Sequence, residues 1–139
     1  MMREEDRPAK RPFTLVVSGE ARRHGGVVQK LLGPSQVDLY DAIDIADLMA
    51  AVQAGRADAV VVDSDDGEQD LLKTLRMIRR VNAALPVVLV ARRASRRFME
   101  GALRLEAFCI VHKPLEREEL LIQLRRLVER ASRGQRTDA

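Results

Sequence analysis

Two uninterrupted apolar segments, residues 59–62 and 87–90, constrain the fold of this chain more than any other feature. Each segment has four apolar residues with no polar residue at alternate positions, which is typical of strands buried on both faces of a parallel sheet. A sheet of this kind needs helices on both sides. The sequence therefore predicts an α/β domain.

Strand-like and helix-like segments alternate five times along the chain. The strands are predicted at 13–17, 37–40, 59–62, 87–90 and 108–111, and the helices at 21–32, 44–55, 71–81, 95–105 and 120–128. Five βα units predict a doubly wound parallel sheet of five strands. This domain is expected to span residues 13–131, between a charged leader (1–12) and a polar tail (132–139) that are both expected to be disordered.

Composition excludes several classes of protein. The single cysteine, Cys109, excludes an intramolecular disulfide and any multi-cysteine metal site. No apolar stretch is long enough to span a bilayer, and the N-terminus has no signal-like apolar core, so we expect a cytoplasmic protein without a membrane partner. The net charge of +3, from 24 basic and 21 acidic side chains, does not by itself predict a nucleic-acid partner.

Two polar side chains follow apolar strands at positions where an α/β sheet places its chemistry. Asp63 ends the third predicted strand, and Lys113-Pro114 follows the fifth. Since parallel strands present their carboxyl ends at one edge, a carboxylate and an ammonium can converge there. The alternative interpretation is structural, with Asp63 initiating a loop and Lys113 exposed to solvent.

The order of elements, together with Asp63 and Lys113-Pro114, resembles the receiver domain of bacterial response regulators, a CheY-like, flavodoxin-like (βα)5 fold. The resemblance covers residues 13–131 and implies the strand order 2-1-3-4-5. It implies that Asp63 accepts a phosphoryl group, that Lys113 contacts the phosphate, and that Pro114 follows a cis peptide bond.

The same resemblance implies a magnesium site that this sequence lacks in part. The family ends its first strand with two acids that bind Mg²⁺, and Ser18-Gly19 stands in their place. The remaining candidate ligands are Glu20, Asp63 and Asp65, none of which matches the missing acids. Mg²⁺ is possible as a cofactor only if these residues hold it.

Two switch positions also depart from the family pattern. Ala91 stands where the fourth strand of the family ends in threonine or serine, and Ile110 stands where the family has an aromatic residue. An alanine cannot donate the hydroxyl hydrogen bond that reports phosphorylation, and an isoleucine cannot perform the aromatic swing. The sequence therefore predicts a degenerate receiver.

We expect a single-domain module of two-component phosphorelay signalling that is not an enzyme and acts by binding other proteins. Its partner would be a histidine kinase, a phosphotransfer protein, an output protein or a second copy, bound through the fourth helix, fifth strand and fifth helix. The candidate contact residues there are basic: Arg96, Arg97, Arg104, Arg125 and Arg126. Two alternatives remain: a working phosphoacceptor using Asp63, and a polyanion binder using these arginines, for which the chain lacks base-stacking aromatics.

Overall fold

The computed structural model describes residues 12–33, 35–64 and 66–137, and for 132–137 it describes the main chain alone. Its five strands form one parallel sheet in the order β2-β1-β3-β4-β5, which confirms the predicted fold. The strands are β1 (Phe13–Val17), β2 (Val37–Asp41), β3 (Ala59–Asp63), β4 (Val87–Ala91) and β5 (Cys109–His112). The helices are α1 (Gly25–Leu32), α2 (Ile45–Gln53), α3 (Glu68–Val81), α4 (Arg96–Arg104) and α5 (Arg117–Thr137).

The two apolar runs form the two most deeply buried strands. Every residue of β3 and β4 is buried, because helices cover both faces of the sheet. Alternation along β3 sends Val60 and Val62 into a core layer with α2, α3 and α4, whereas Val61 packs in the layer of α1 and α5. The core therefore consists of two aliphatic layers that hold the sheet between them.

Side-chain caps begin two of the helices. Asp44 accepts a hydrogen bond from the amide of Asp47 at the start of α2. Ser95 accepts one from the amide of Phe98 at the start of α4. Each cap satisfies an amide that has no partner within its helix.

The first helical segment differs from its prediction. A 3₁₀-helical segment, Gly19–His24, precedes α1, so the predicted helix at 21–32 is divided. Gly25 begins α1 close to β2, where a β-carbon would clash with Cδ2 of Leu39. Gly25, which has no β-carbon, thus permits this close packing.

The last helix extends past the predicted end of the domain. The main chain of α5 is helical as far as Thr137, and the domain bounds 13–131 stay a prediction. The predicted leader, 1–12, lies outside the described residues except for Pro12. None of the helices in the described ranges is long and apolar enough to cross a membrane.

Candidate functional site

Asp63 and Lys113 meet at the carboxyl edge of the sheet. Asp63 is the last residue of β3, and Lys113 follows β5, so the two residues lie on either side of β4. Nζ of Lys113 is 2.7 Å from Oδ1 of Asp63, and the exposed fractions of the two side chains are 9% and 2%. The fold thus brings the two candidate side chains into a buried ion pair.

The main chain fixes the lysine in this position. The amide of Lys113 donates a hydrogen bond to the carbonyl of Ala91 at 2.9 Å, and the Lys113–Pro114 peptide bond is cis. Apart from the ammonium of Lys113, no hydrogen-bond donor among the described residues reaches Oδ1 of Asp63.

Ser18 is directed toward the backbone of β3. Its hydroxyl donates to the carbonyl of Val61 at 2.9 Å and accepts from the amide of Asp63 at 3.1 Å. The amide of Ser18 also donates to the Val61 carbonyl, at 3.1 Å. Because its one proton is used and its side chain is buried, Ser18 acts as a link between β1 and β3.

Gly19 and Glu20 pack directly onto the carboxylate of Asp63. Gly19 has φ +60°, and a β-carbon there would lie 2.5 Å from Oδ2 of Asp63. The amide of Glu20 donates a hydrogen bond to that same oxygen at 2.6 Å. The turn after β1 therefore occupies one face of the carboxylate with main-chain atoms, a placement that requires glycine.

Two clefts open beside this pair. The larger, which we call the basic cleft, has a volume of about 650 Å³ and is lined by Gly19, Glu20, Arg22, Arg23, Asp41, Arg92 and Lys113. The smaller has a volume of about 390 Å³ and lies toward α3 and α4, next to Ser64, Glu68 and Ala91. Arg92 and Lys113 line both clefts, so the candidate site is continuous across the carboxyl ends of the strands.

Comparison with known families decides the affiliation of the chain. A model of the response regulator receiver domain matches residues 23–125, well over half of the sequence. The chain belongs to the response regulator receiver family. The matched residues include Asp63 and Lys113, and they begin after Ser18-Gly19.

Solved receiver domains have the same fold at low sequence identity. A receiver domain from Methanospirillum hungatei has a TM-score of 0.70 and 15% identity, covering 89% of this chain and 100% of that one. A response regulator from Thermotoga maritima has a TM-score of 0.69 and 19% identity, with 86% and 99% covered. The non-phosphorylated HemR receiver domain from Leptospira biflexa has a TM-score of 0.67 and 21% identity, with 85% and 94% covered. None of the curated proteins matches the sequence.

Receiver domains typically bind Mg²⁺ for phosphorylation, but the described side chains of this receiver do not fit that ion. Mg²⁺ requires near-octahedral oxygen ligands. Oδ2 of Asp63 is used by the amide of Glu20, Oδ1 faces an ammonium, and Gly19 has no side chain to contribute. Within the described ranges no three His, Cys, Asp or Glu side chains form a metal-binding group. The candidate ligand Asp65 lies outside the described residues, and Glu20 meets Asp63 through its amide.

The two candidate switch residues, Ala91 and Ile110, lie on β4 and β5. Ala91 ends β4 as a buried residue lining the smaller cleft, and its methyl group offers no hydroxyl. Ile110 is half-buried in β5 and packs against the core layer of α2, α3 and α4.

Glu68 accepts two hydrogen bonds from the loop between β4 and α4. Its Oε1 accepts from the amide of Ser95 and its Oε2 from the Ser95 hydroxyl, both at 2.8 Å. The backbone hydrogen bond first, and the hydroxyl second, lower the pKa of Glu68 below its ordinary value. This loop is therefore tied to the first turn of α3.

The five candidate arginines of the partner surface are all exposed. Arg96 pairs with Glu100 at 3.3 Å across one turn of α4, and Arg126 donates to Gln123 at 3.3 Å on α5. Arg97, Arg104 and Arg125 are also exposed, and the apolar side chains Met99, Leu103 and Ile122 are exposed on the same two helices. This surface is both basic and apolar.

The sequence analysis missed Arg22 and Arg23 of the basic cleft. They lie in the 3₁₀-helical segment that follows β1, and the only available signal was their position after a strand, at the same sheet edge as Asp63. Arg92 follows β4 directly, but its place beside Lys113 depends on how the loops after β4 and β5 fold.

Proposed function

We propose that this chain is a degenerate receiver, which signals by binding other proteins and has lost efficient Mg²⁺-dependent phosphorylation. The observation that carries the proposal is the contact between the carboxylate of Asp63 and the main chain at Gly19 and Glu20. Oδ2 accepts the amide of Glu20, and Gly19 approaches so closely that no side chain fits between them.

Phosphoryl transfer depends mainly on positioning and on neutralising negative charge. In a receiver the metal ion and the lysine share that neutralisation. Here Lys113 is present, but the two acids that would hold the ion are replaced by a hydroxyl bonded to β3 and by a glycine. Asp63 would therefore meet an incoming phosphoryl group with a single opposing cation and one oxygen already engaged.

The loop that would report phosphorylation supports the same proposal. Ala91 cannot donate to a phosphoryl oxygen, and Ile110 has no aromatic ring to reorient. Two hydrogen bonds between Glu68 and Ser95 connect the loop after β4 to the first turn of α3. We infer that the domain presents one constant surface to its partners.

The partner surface that we propose lies on α4, β5 and α5. Receiver domains interact with histidine kinases and output domains in two-component systems. The basic side chains Arg96, Arg97, Arg104, Arg125 and Arg126, with Leu103 and Ile122 exposed among the same helices, would suit a signalling protein with an acidic and apolar face. A homodimer through this face is a second arrangement, which sedimentation of the wild type and of a Leu103→Glu variant would distinguish from a monomer.

Intact-mass spectrometry tests the loss of phosphorylation directly. The chain is incubated with acetyl phosphate and Mg²⁺ beside a receiver that has both acids as a positive control. We expect no phosphate adduct on this chain under conditions that fully modify the control. An adduct that disappears in Asp63→Asn would refute the degenerate assignment.

A working phosphoacceptor is the second candidate, and one observation favours it. Oδ1 of Asp63 accepts no main-chain amide among the described residues and faces the ammonium of Lys113, the cation that would also face an incoming phosphoryl group. The same mass measurement separates the two candidates, because only the second predicts an adduct.

A further inference from the structure

The basic cleft contains more positive than negative side chains. Its four cations follow three different strands: Arg22 and Arg23 come after β1, Arg92 after β4, and Lys113 after β5. Two carboxylate side chains, Glu20 and Asp41, also line the cleft. Parallel strands thus gather these cations at one edge, outside their carboxyl ends, where α/β folds bind ligands.

The three arginines have their guanidinium groups available. Arg22, Arg23 and Arg92 are exposed, and none of them makes a hydrogen bond or an ion pair within the described part of the chain. Lys113 differs from them, since it is nearly buried against Asp63. The arginines therefore supply the excess positive charge of the cleft, because the charge of Lys113 is paired with Asp63.

The chemistry of the lining selects the kind of ligand. A volume of about 650 Å³ suits a small molecule. Every lining residue except Gly19 is charged, and no aromatic or large aliphatic side chain is present on which a base or a steroid-like ring could stack. Guanidinium groups match the paired oxygens of phosphate, so a compact phosphorylated anion fits the cleft better than an aromatic ligand.

We propose that the basic cleft binds a compact phosphate-bearing anion, of the size of pyrophosphate or a small sugar phosphate, reversibly and without Mg²⁺. The arginines supply the positive charge that a metal ion would otherwise bring to phosphate. No covalent step is involved. This site is independent of the proposed loss of phosphorylation, since it uses side chains around Asp63 and not the aspartate itself.

Calorimetric titration of the full chain with sodium pyrophosphate, in EDTA and about 150 mM salt, tests the proposal. Salt at this concentration screens long-range, non-specific electrostatic attraction. We expect one saturable site, and changes in the amide resonances of Gly19, Glu20 and Lys113. Arg92→Ala should weaken binding by about tenfold or more, the loss expected for one charge-assisted hydrogen bond. Arg23→Ala should act similarly.

Arg80→Ala is the matched control, because Arg80 is an exposed arginine of α3 outside the cleft. It removes the same charge and should change the affinity by less than about twofold. Absence of saturable binding would overturn the proposal, as would an equal loss in Arg80→Ala and Arg92→Ala. Adenosine diphosphate binding tenfold more tightly than pyrophosphate would overturn the assignment of a compact anion. A phosphate adduct on Asp63 in the mass assay would refute the degenerate receiver and leave this site standing.

Discussion

The main-chain amide of Glu20 donates a hydrogen bond to Oδ2 of Asp63 across 2.6 Å. The contact exists because the chain turns sharply at Gly19, whose φ of +60° suits glycine. A backbone donor therefore occupies the carboxylate oxygen nearest to the end of β1. This chain thus departs from the receiver pattern in two ways: it lacks the two acids after β1, and the turn that replaces them contacts Asp63 through its main chain.

We expect alanine to be tolerated much less well at Gly19 than at Gly26. Gly19→Ala should destabilise the fold by about 2 kcal/mol or more, because its β-carbon meets Asp63 and its φ is unfavourable. Gly26→Ala, in open space on α1, should leave stability unchanged or raise it by up to about 1 kcal/mol. Urea unfolding of both variants measures the difference. Equal effects would contradict the close contact.

The buried ion pair predicts a large cost for removing the lysine. Lys113→Ala should lower the free energy of unfolding by about 3 kcal/mol, because it leaves the carboxylate of Asp63 buried without a counter-ion. Lys73→Ala, which truncates an exposed lysine of α3, should cost less than about 0.5 kcal/mol. Denaturant unfolding at neutral pH provides the comparison, and similar values for the two variants would refute a buried pair.

We expect Ser18 to stabilise the fold through its hydrogen bonds to β3. Ser18→Ala removes the acceptor of the Asp63 amide and a donor to the Val61 carbonyl, so we expect a loss of about 1–3 kcal/mol. Ser35→Ala, at an exposed turn position, serves as the control and should be nearly neutral. A neutral Ser18→Ala in thermal unfolding would mean that β1 and β3 do not depend on this link.

Much of this architecture could be predicted from the sequence, because burial on both faces of a strand leaves a pattern in neighbouring residues. The apolar runs of β3 and β4 fixed the sheet, and Asp63 and Lys113 were placed by the ends of their strands. The turn at Gly19 and the arrangement of Arg22, Arg23 and Arg92 could not be predicted. They depend on how loops from distant parts of the chain pack, and composition does not encode that geometry.

The link between Glu68 and Ser95 predicts a response to acid. Hydrogen bonds from Ser95 lower the pKa of Glu68 in the folded chain below the 4.5 of the unfolded chain. Their stabilising effect is therefore complete above pH 4.5 and is lost as the pH falls through the folded value. The amide resonance of Ser95 should titrate with a midpoint below 4.5. Glu68→Gln should abolish that titration, and a persistent midpoint in this variant would assign it to another group.

Cys109 should react slowly with alkylating agents. Burial raises the pKa of its thiol from 9.0 to about 11, so at pH 8 the thiolate fraction falls by about a hundredfold. Iodoacetamide should therefore modify Cys109 far more slowly than a cysteine introduced by Ser35→Cys in a Cys109→Ala background. Equal rates would show that the fifth strand is open to solvent.

A magnesium titration followed by amide resonances tests the central claim most directly. We predict that a large excess of Mg²⁺ leaves the amides of Gly19, Glu20 and Lys113 without saturable shifts, because the carboxylate of Asp63 is already bound by Glu20 and Lys113. A receiver with both acids, titrated in parallel, should show such shifts. Saturable changes at these three amides that vanish in Asp63→Asn would contradict the account.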